Sequence, residues 1–452
     1  MKILFISLGC DKNLVDSEHM LGMLCDNGYS VTDDENEADV IVVNTCCFIH
    51  DAKEESIENI LEMAKLKEKG KLKVLVVTGC LAQRYKDEIQ DEIPEVDAII
   101  GTTAYDDIVN VINGILEDKN YNVKDKDYKL KHNSYKDISY LTKNTSNRVI
   151  TTGGYTSYLK IAEGCNKNCT YCIIPKLRGK FRSVPMEELL EEAKYLADKG
   201  VKELILVAQE TTLYGVDIYG KKTLPELLKK LCKIDGFEWI RILYTYPEEI
   251  TDELIQVIKE EDKICKYIDM PIQHASDNIL KKMGRRTNKQ DLINVIKKLR
   301  SEVEDIVIRT TLITGFPGET DEDFEELLDF VYDMSFERLG VFTYSAEEGT
   351  KAAEMDNQID EDIKEARRNA VMEMQQDITF DYMASLVGNI TKVLIEGYMV
   401  DDDVYVGRTY MDAPNIDGLV FVNSNKQLMS GDIILAEITN SDGYDLIAEH
   451  VY

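Results

Sequence analysis

Three cysteines within eight residues, Cys165, Cys169 and Cys172 in the run GCNKNCTYC, constrain this chain more than any other feature. They follow directly on a strand-like stretch, residues 158–163 (YLKIAE). Three thiolates in one tight loop can hold three irons of a four-iron four-sulfur cluster. A cluster kept only for structure uses four Cys. Three leave one iron without a protein ligand, and an open metal position is where a small molecule binds and reacts. The alternative is a zinc site, and against it stands the lack of a fourth Cys or His in the local loop.

Upstream, residues 1–117 alternate short apolar strands with helical stretches. Strands are predicted at 2–8, 38–43 and 73–77, and helices at 16–27, with Asp16 or Ser17 as N-cap, and at 54–69. That alternation predicts an α/β domain with a doubly wound parallel sheet. Each strand runs into a small polar residue or Gly and then a Cys: Gly9–Cys10, Thr45–Cys46, Gly79–Cys80. Ligands of open α/β sheets bind beyond the carboxyl ends of the strands. Cys10, Cys46 and Cys80 are therefore expected to converge on one edge, as ligands of a second cluster with an open iron. Taken singly, each could be a buried core thiol.

Residues 118–150 are polar and read as a linker or extended loop. Six further strands are predicted across 151–381, at 158–162, 203–208, 239–244, 267–270, 307–313 and 339–342, with helices between, for example 186–199 and 323–334. Six β-α pairs make a partial (β/α)6 barrel, with active residues at the carboxyl ends of its strands. From 384 to 452 the pattern changes to short β segments at 391–396, 403–408, 418–422 and 432–439, separated by turn residues. They predict a small OB-like β-barrel.

The Cys triplet resembles that of the radical S-adenosylmethionine (SAM) enzymes, and the C-terminal segment resembles the TRAM domain. Together with the N-terminal trio, the whole chain is similar to the methylthiotransferases. The runs SLGCDKNLVDSE (7–18) and CIIPKLRGKFRS (172–183) resemble the RimO branch. That resemblance implies two 4Fe-4S clusters and SAM as cofactors, an unidentified electron donor, and two SAM-linked steps, methyl transfer and radical hydrogen abstraction. It also implies a substrate: an aspartate of small-subunit ribosomal protein S-twelve, free or in the ribosome, methylthiolated on its β-carbon. Both clusters are then expected to face one cavity. One position departs from the family pattern NTCGFI, because Cys47 stands where Gly is usual. Cys46 is taken as the ligand by register, with Cys47 as its alternative. Cys25, Cys232 and Cys265 read as structural.

By the same resemblance Tyr171 lies near the SAM adenine, and Gln209 and Glu210 lie near its amino group. Gly315, Gly318 and Glu319, in ITGFPGE, form a turn that lets backbone approach a ligand. Bland readings stand beside these: a loop aromatic, a solvated turn, a capping acid. Arg309 reaches the SAM carboxylate or pairs within the barrel. Lys176, Arg178, Lys180 and Arg182 form either a solvated basic loop or an attraction for an acidic substrate side chain. His274 reads as a strand-end polar residue near the site.

Charge bears on the substrate. The 452 residues carry 53 Lys and Arg against 84 Asp and Glu, a net charge of −31. Such a chain repels nucleic acid unless some face is locally basic. Residues 384–452 hold three basic residues (Lys392, Arg408, Lys426) against eleven acidic ones. No strong direct nucleic-acid binding is expected, and a basic protein partner suits this segment. A tRNA adenosine methylthiotransferase of the MiaB type is the competing enzyme reading, and an iron–sulfur carrier or redox sensor the competing class. The ten Cys and the well-supplied core (44% hydrophobic residues) suit metal binding rather than a disulfide scaffold. MKILFISLGC mimics a lipoprotein signal, but its apolar run is short and Asp11 and Lys12 follow at once. A cytoplasmic protein with no membrane association is expected.

Overall fold

The computed structural model describes residues 1–68, 70–118, 131–142 and 148–452. The chain forms two compact units, and the first is discontinuous: Met1–Thr151, Ala162–Lys167 and Cys172–Val184. The second comprises Thr152–Ile161, Asn168–Tyr171 and Pro185–Tyr452.

The first unit is built on five parallel strands in the order β2-β1-β3-β4-β5: β1 (Lys2–Ser7), β2 (Ser30–Val31), β3 (Val40–Thr45), β4 (Val74–Gly79) and β5 (Ala98–Ile100). Every residue of β3 and β4 is buried. Their side chains alternate between two cores. Ile41, Val43, Leu75 and Val77 pack with Ile60 and Met63 of the helix His50–Glu68. Val40, Val42, Val74 and Val76 pack with Met20 and Leu24 of the helix Asp11–Asp26 and with Ile112. A parallel strand covered on both faces must be apolar throughout, which is why these runs were legible. β2 and β5 were not predicted, being only two and three residues long.

The first helix starts at Asp11, capped by Cys10 rather than by Asp16 or Ser17. Asp16, Ser17 and Glu18 are instead buried within it. In the helix predicted at 54–69, residue 69 lies outside the described residues. So do 119–130 and 143–147 of the expected linker. Its described parts belong to the first unit. Ser134 bridges Ile100 in parallel beyond β5, and Arg148 donates to the buried Glu18 carboxylate at 2.7 Å.

β6 (Thr156–Lys160) opens the second unit. The chain then returns to the first unit as an antiparallel ribbon, β7 (Ala162–Glu163) with β8 (Arg182–Ser183). β9 (Glu203–Val207), β10 (Trp239–Ile242), β11 (Ile264–Asp269), β12 (Val307–Thr314) and β13 (Arg338–Thr343) follow. With β6 they form one parallel six-stranded sheet in the order β13-β12-β11-β10-β9-β6. Helices separate the strands, as the (β/α)6 pattern requires. The 25-residue helix Glu361–Ser385 runs through the expected boundary near 381 and packs on β12, β13 and the C-terminal strands. Those strands, β14 (Ile390–Met399), β15 (Val404–Arg408), β16 (Val420–Asn423), β17 (Ile433–Asp442) and β18 (Asp445–His450), close into a barrel in the order β14-β15-β16-β18-β17. Closure removes the edge strands, and the unpredicted β18 completes it. No helix of the described residues is long and apolar enough to cross a membrane.

Candidate active site

The strand order of the first sheet reverses between β1 and β3, the switch point where open α/β sheets bind ligands. Register pairs Ser7 with Asn44 and Asn44 with Thr78, so the three carboxyl ends lie level. Cys10, Cys46 and Cys80 leave from these ends. Gly9 has φ +88°, and a Cβ there would stand 2.6 Å from the Cys46 Cβ. Gly79 has φ +93°, and its Cβ would stand 2.4 Å from the Thr45 carbonyl oxygen. Glycine lets the chain before Cys10 turn close against Cys46 and the chain before Cys80 turn close against Asn44 and Thr45. Asn13 ties the ends together, its Nδ2 donating to the carbonyls of Leu8 (3.0 Å) and Thr45 (2.9 Å). Asn44 Nδ2 donates to the Asn13 carbonyl and to Ser17 Oγ, each at 2.9 Å.

Arg178 ends the short helix Ile174–Arg178, and its side chain is only 2% exposed. Its Nε donates to Cys80 Sγ at 3.3 Å. Its Nη1 donates to Asp16 Oδ2 (2.9 Å) and Glu163 Oε2 (3.1 Å), and its Nη2 to Asn13 Oδ1. Thr102 Oγ1 pins this segment through the Leu177 carbonyl at 3.0 Å. The basic run thus does not act as one patch. Lys176 and Lys180 are exposed, but Arg178 is sequestered by two carboxylates and a thiol.

Burial pushes the Cys46 thiol up to about 12, and the neighbouring Cys80 and Cys10 sulfurs add to this. Burial also raises Cys80, while Arg178 pulls it back. Cys47 is raised by burial to about 12 as well, with Cys80 adding to this and Arg84 opposing it, and it lies with Cys80 in the apolar cluster that includes Ile60, Met63 and Leu81. Such thiols stay protonated on their own, whereas a coordinating metal deprotonates its thiol outright. Among the described residues no three His, Cys, Asp or Glu converge on a single metal-ion position. An iron–sulfur cluster asks for something different, one thiolate on each of three irons. Cys10, Cys46 and Cys80, with a cation on one sulfur, fit that demand.

The triplet loop divides between the units. In the first, Cys165 is buried, its N–H donates to the Gly179 carbonyl at 3.1 Å, and its Sγ accepts from Lys167 N–H at 3.4 Å. Cys172 is half-buried there. In the second, Cys169 is buried. Next to it Thr170 is held by backbone bonds to Met283 and Ala352. A loop fixed this firmly holds its thiols in place for ligation.

Within the second unit Tyr171 meets Phe316 edge-on, centroids 6.5 Å apart, and Phe316 meets Tyr344 at 5.3 Å. This joins the aromatic before Cys172 to the ITGFPGE turn. Glu319 organises that turn. Its Oε2 accepts from the N–H of Gly315 (2.9 Å) and Phe316 (3.2 Å), and its Oε1 from Arg367 (2.9 Å). A Cβ at Gly315 would meet Lys364 Cγ at 2.2 Å, and one at Gly318 would meet Lys282 Nζ at 2.8 Å. Both glycines thus make room for lysine side chains. Glu210 is buried after β9 and accepts from the N–H of Thr212 at 3.1 Å, while Gln209 beside it is half-buried. His274 is fully buried, with Nε2 3.5 Å from Glu319 Oε2 and Nδ1 accepting from Ser276 N–H at 3.0 Å. Sequence reading missed Asn13, Asp16, Glu163 and Arg367. For Asn13, Asp16 and Arg178 the signal was present, since all three lie inside the quoted runs.

Arg309 donates to Asp269 at 2.8 Å and stands 3.5 Å from Asp417. It belongs to a buried network between the six-stranded sheet and residues 408–417. Glu203, first residue of β9, accepts from Arg241 (2.8 Å) and Arg408 (2.7 Å). Arg408 also donates to Glu396 at 2.8 Å and to the Asp412 carbonyl at 2.9 Å. Tyr267 donates to Asp417 at 2.7 Å, and Arg338 Nε to Asp412 at 3.2 Å. Burial opposes ionisation of Glu203, but Arg408 and Arg241 outweigh it and hold the carboxyl at about 2.

A three-cysteine loop after the first strand of a parallel six-stranded sheet defines a radical SAM protein, here with a second cysteine trio and a C-terminal barrel. The Radical SAM superfamily model matches residues 159–331, the uncharacterized protein family UPF0004 residues 2–101, and the TRAM domain residues 387–451. A ribosomal protein uS12 methylthiotransferase of Lachnoclostridium phytofermentans is 63% identical over 99% of each chain. One of Clostridioides difficile is 51% identical over 100% of this chain and 99% of its own. Among solved structures, the radical SAM methyltransferase TsrM of Kitasatospora setae shares the fold at TM-score 0.56 and 13% identity, covering 78% of this chain and 76% of that one. The chain belongs to the uS12 methylthiotransferase family, the RimO branch of the radical SAM methylthiotransferases.

Proposed function

We propose that this chain replaces a hydrogen on the β-carbon of an aspartate of ribosomal protein uS12 with a methylthio group. The observation that carries the reading is the pairing, in one chain, of the open three-cysteine loop with a second trio at level strand ends. When bound, a four-iron cluster and SAM supply a carbon radical strong enough to take hydrogen from a C–H bond with no useful acidity. The chain's own residues do the rest. Cys165, Cys169 and Cys172 would hold a four-iron cluster with one position open to SAM. Cys10, Cys46 and Cys80 would hold a second cluster, with Cys47 as the alternative to Cys46. Tyr171, Gln209, Glu210 and the Gly315–Glu319 turn line the SAM position, with Glu319 setting the shape of that turn. Arg309 is already bound to Asp269 and Asp417 and serves the barrel instead.

The C-terminal barrel supports a basic protein partner. Arg408 is buried, leaving Lys392 and Lys426 as its surface cations, while Asp401, Asp402 and Asp403 are exposed. Such a face attracts a ribosomal protein and repels phosphate. The reaction needs an external electron donor, and its substrate places it in the cytoplasm.

The test is anaerobic reconstitution with iron and sulfide, then SAM and a reductant, with small ribosomal subunits or unmodified tRNA offered in parallel. A mass gain of one methylthio group on the uS12 aspartate supports the reading. A gain on tRNA alone moves the substrate to nucleic acid. Full iron loading with no product and no 5′-deoxyadenosine indicates a carrier or sensor.

A further inference from the structure

The guanidinium of Arg178 is a buried cation whose donors are split between carboxylates and a candidate ligand sulfur. Its Nε–H points at Cys80 Sγ (3.3 Å), while Asp16 and Glu163 grip Nη1 and Asn13 grips Nη2. Those grips come from two separate places: the helix after Cys10, which carries Asn13 and Asp16, and the ribbon strand β7, which carries Glu163. The side chain is 2% exposed, so little water screens its charge from the sulfur. Cluster potentials are set by net charge, hydrogen bonds to sulfur and solvent exposure. Arg178 supplies two of these at once, and the Asp16 carboxylate offsets part of its charge.

We infer that Arg178 is a positioning residue that raises the reduction potential of the cluster held by Cys10, Cys46 and Cys80, and that Asp16 sets how much of its charge the cluster feels. The inference rests on reading those three cysteines as ligands. A positive charge and an N–H donor on a ligand sulfur stabilise the more negative, reduced cluster. Removing them lowers the potential, and removing the opposing carboxylate raises it. The two variants must therefore move the potential in opposite directions, which damage to packing would not produce.

The measurement uses the full chain with Cys165, Cys169 and Cys172 changed to Ala, loaded with iron and sulfide, so that only the second cluster remains. Its midpoint potential is read by electron paramagnetic resonance at set potentials. Arg178→Gln is expected to lower the reduced-to-oxidised ratio at fixed potential at least tenfold, about 59 mV for a one-electron couple. Arg178→Lys keeps the charge and loses the Nε donor, so its fall is smaller. Asp16→Asn is expected to raise the ratio. Should Arg178→Gln not fold, Arg178→Lys and Asp16→Asn carry the test through their opposite signs. A loaded cluster whose potential stays put, or moves the same way in both, overturns the inference alone. A chain that loads no iron overturns the ligand assignment and the inference with it.

Discussion

Arginine is buried among carboxylates in two regions of this molecule, to different ends. Under the six-stranded sheet, Arg408 places Nε on Glu396, Nη1 on the Asp412 carbonyl and Nη2 on Glu203. Arg241 shares that Glu203. Here two cations enclose one anion, and the donors end on oxygen. In the first unit one cation faces two carboxylates, and its remaining N–H is aimed at sulfur. The first arrangement fastens residues 408–417 to the sheet. The second directs a charge at the sulfur of a proposed cluster ligand, Cys80. A buried ion pair is weak evidence for stability gained, but breaking one is costly. The two regions are therefore told apart by what else fails when they are broken.

The largest effect is expected at the sulfurs. Cys10→Ala or Cys80→Ala should abolish methylthiolation and remove roughly half the bound iron, since one of two clusters loses a ligand. Iron assay with product mass spectrometry checks this, and unchanged iron content would remove the residue from the ligand set. Arg408→Ala should leave iron binding intact in the folded protein and cost about 3–5 kcal/mol, because Glu203 and Glu396 lose a partner. Urea denaturation reads that cost, and a loss under about 1 kcal/mol would mean that Arg241 alone satisfies Glu203.

Acid sharpens the contrast. The Glu203 carboxyl is held at about 2 against an ordinary 4.5. Its contribution is then present in full above pH 4.5 and drains away as pH falls toward 2, about 3 kcal/mol in total. Glu203→Gln should flatten the acid limb of the stability profile, and an unchanged limb would assign it to other carboxylates. The smallest effect is expected at Cys47, where Cys47→Ala should cost about 1 kcal/mol and leave iron unchanged. A loss of iron there would exchange Cys47 for Cys46 as ligand.

What could be read from the sequence follows from how local each signal is. β3 and β4 are apolar on both faces, so their runs and the cysteines ending them stood out. The six strands of the second sheet were legible as well, although β6 ends two residues earlier than predicted and β11 starts three residues earlier. The first helix was begun too late because its opening turn is polar and buried, which apolar periodicity cannot reveal. Charge was misread wherever its partner was remote. Arg178 meets Asp16 across 162 positions, and Arg408 meets Glu203 across 205. A lone Arg in a basic run looks solvated until the chain brings those acids to it. The charge balance of the C-terminal segment was counted correctly, but Arg408, Asp412 and Asp417 are not on its surface.

The discontinuity of the first unit bears on how the protein is made. Cys10, Cys46 and Cys80 are all translated before residue 100, yet Glu163 and Arg178 belong to the same compact body and come much later. Domains generally fold as units, N-terminal first, during synthesis. This one has all its parts only at Val184, after the chain has already begun the second unit with β6. The segment that finishes the first body therefore also delivers Cys165 and Cys172. Translation itself thus keeps the earlier trio without Arg178 until the later thiols have been added to the chain.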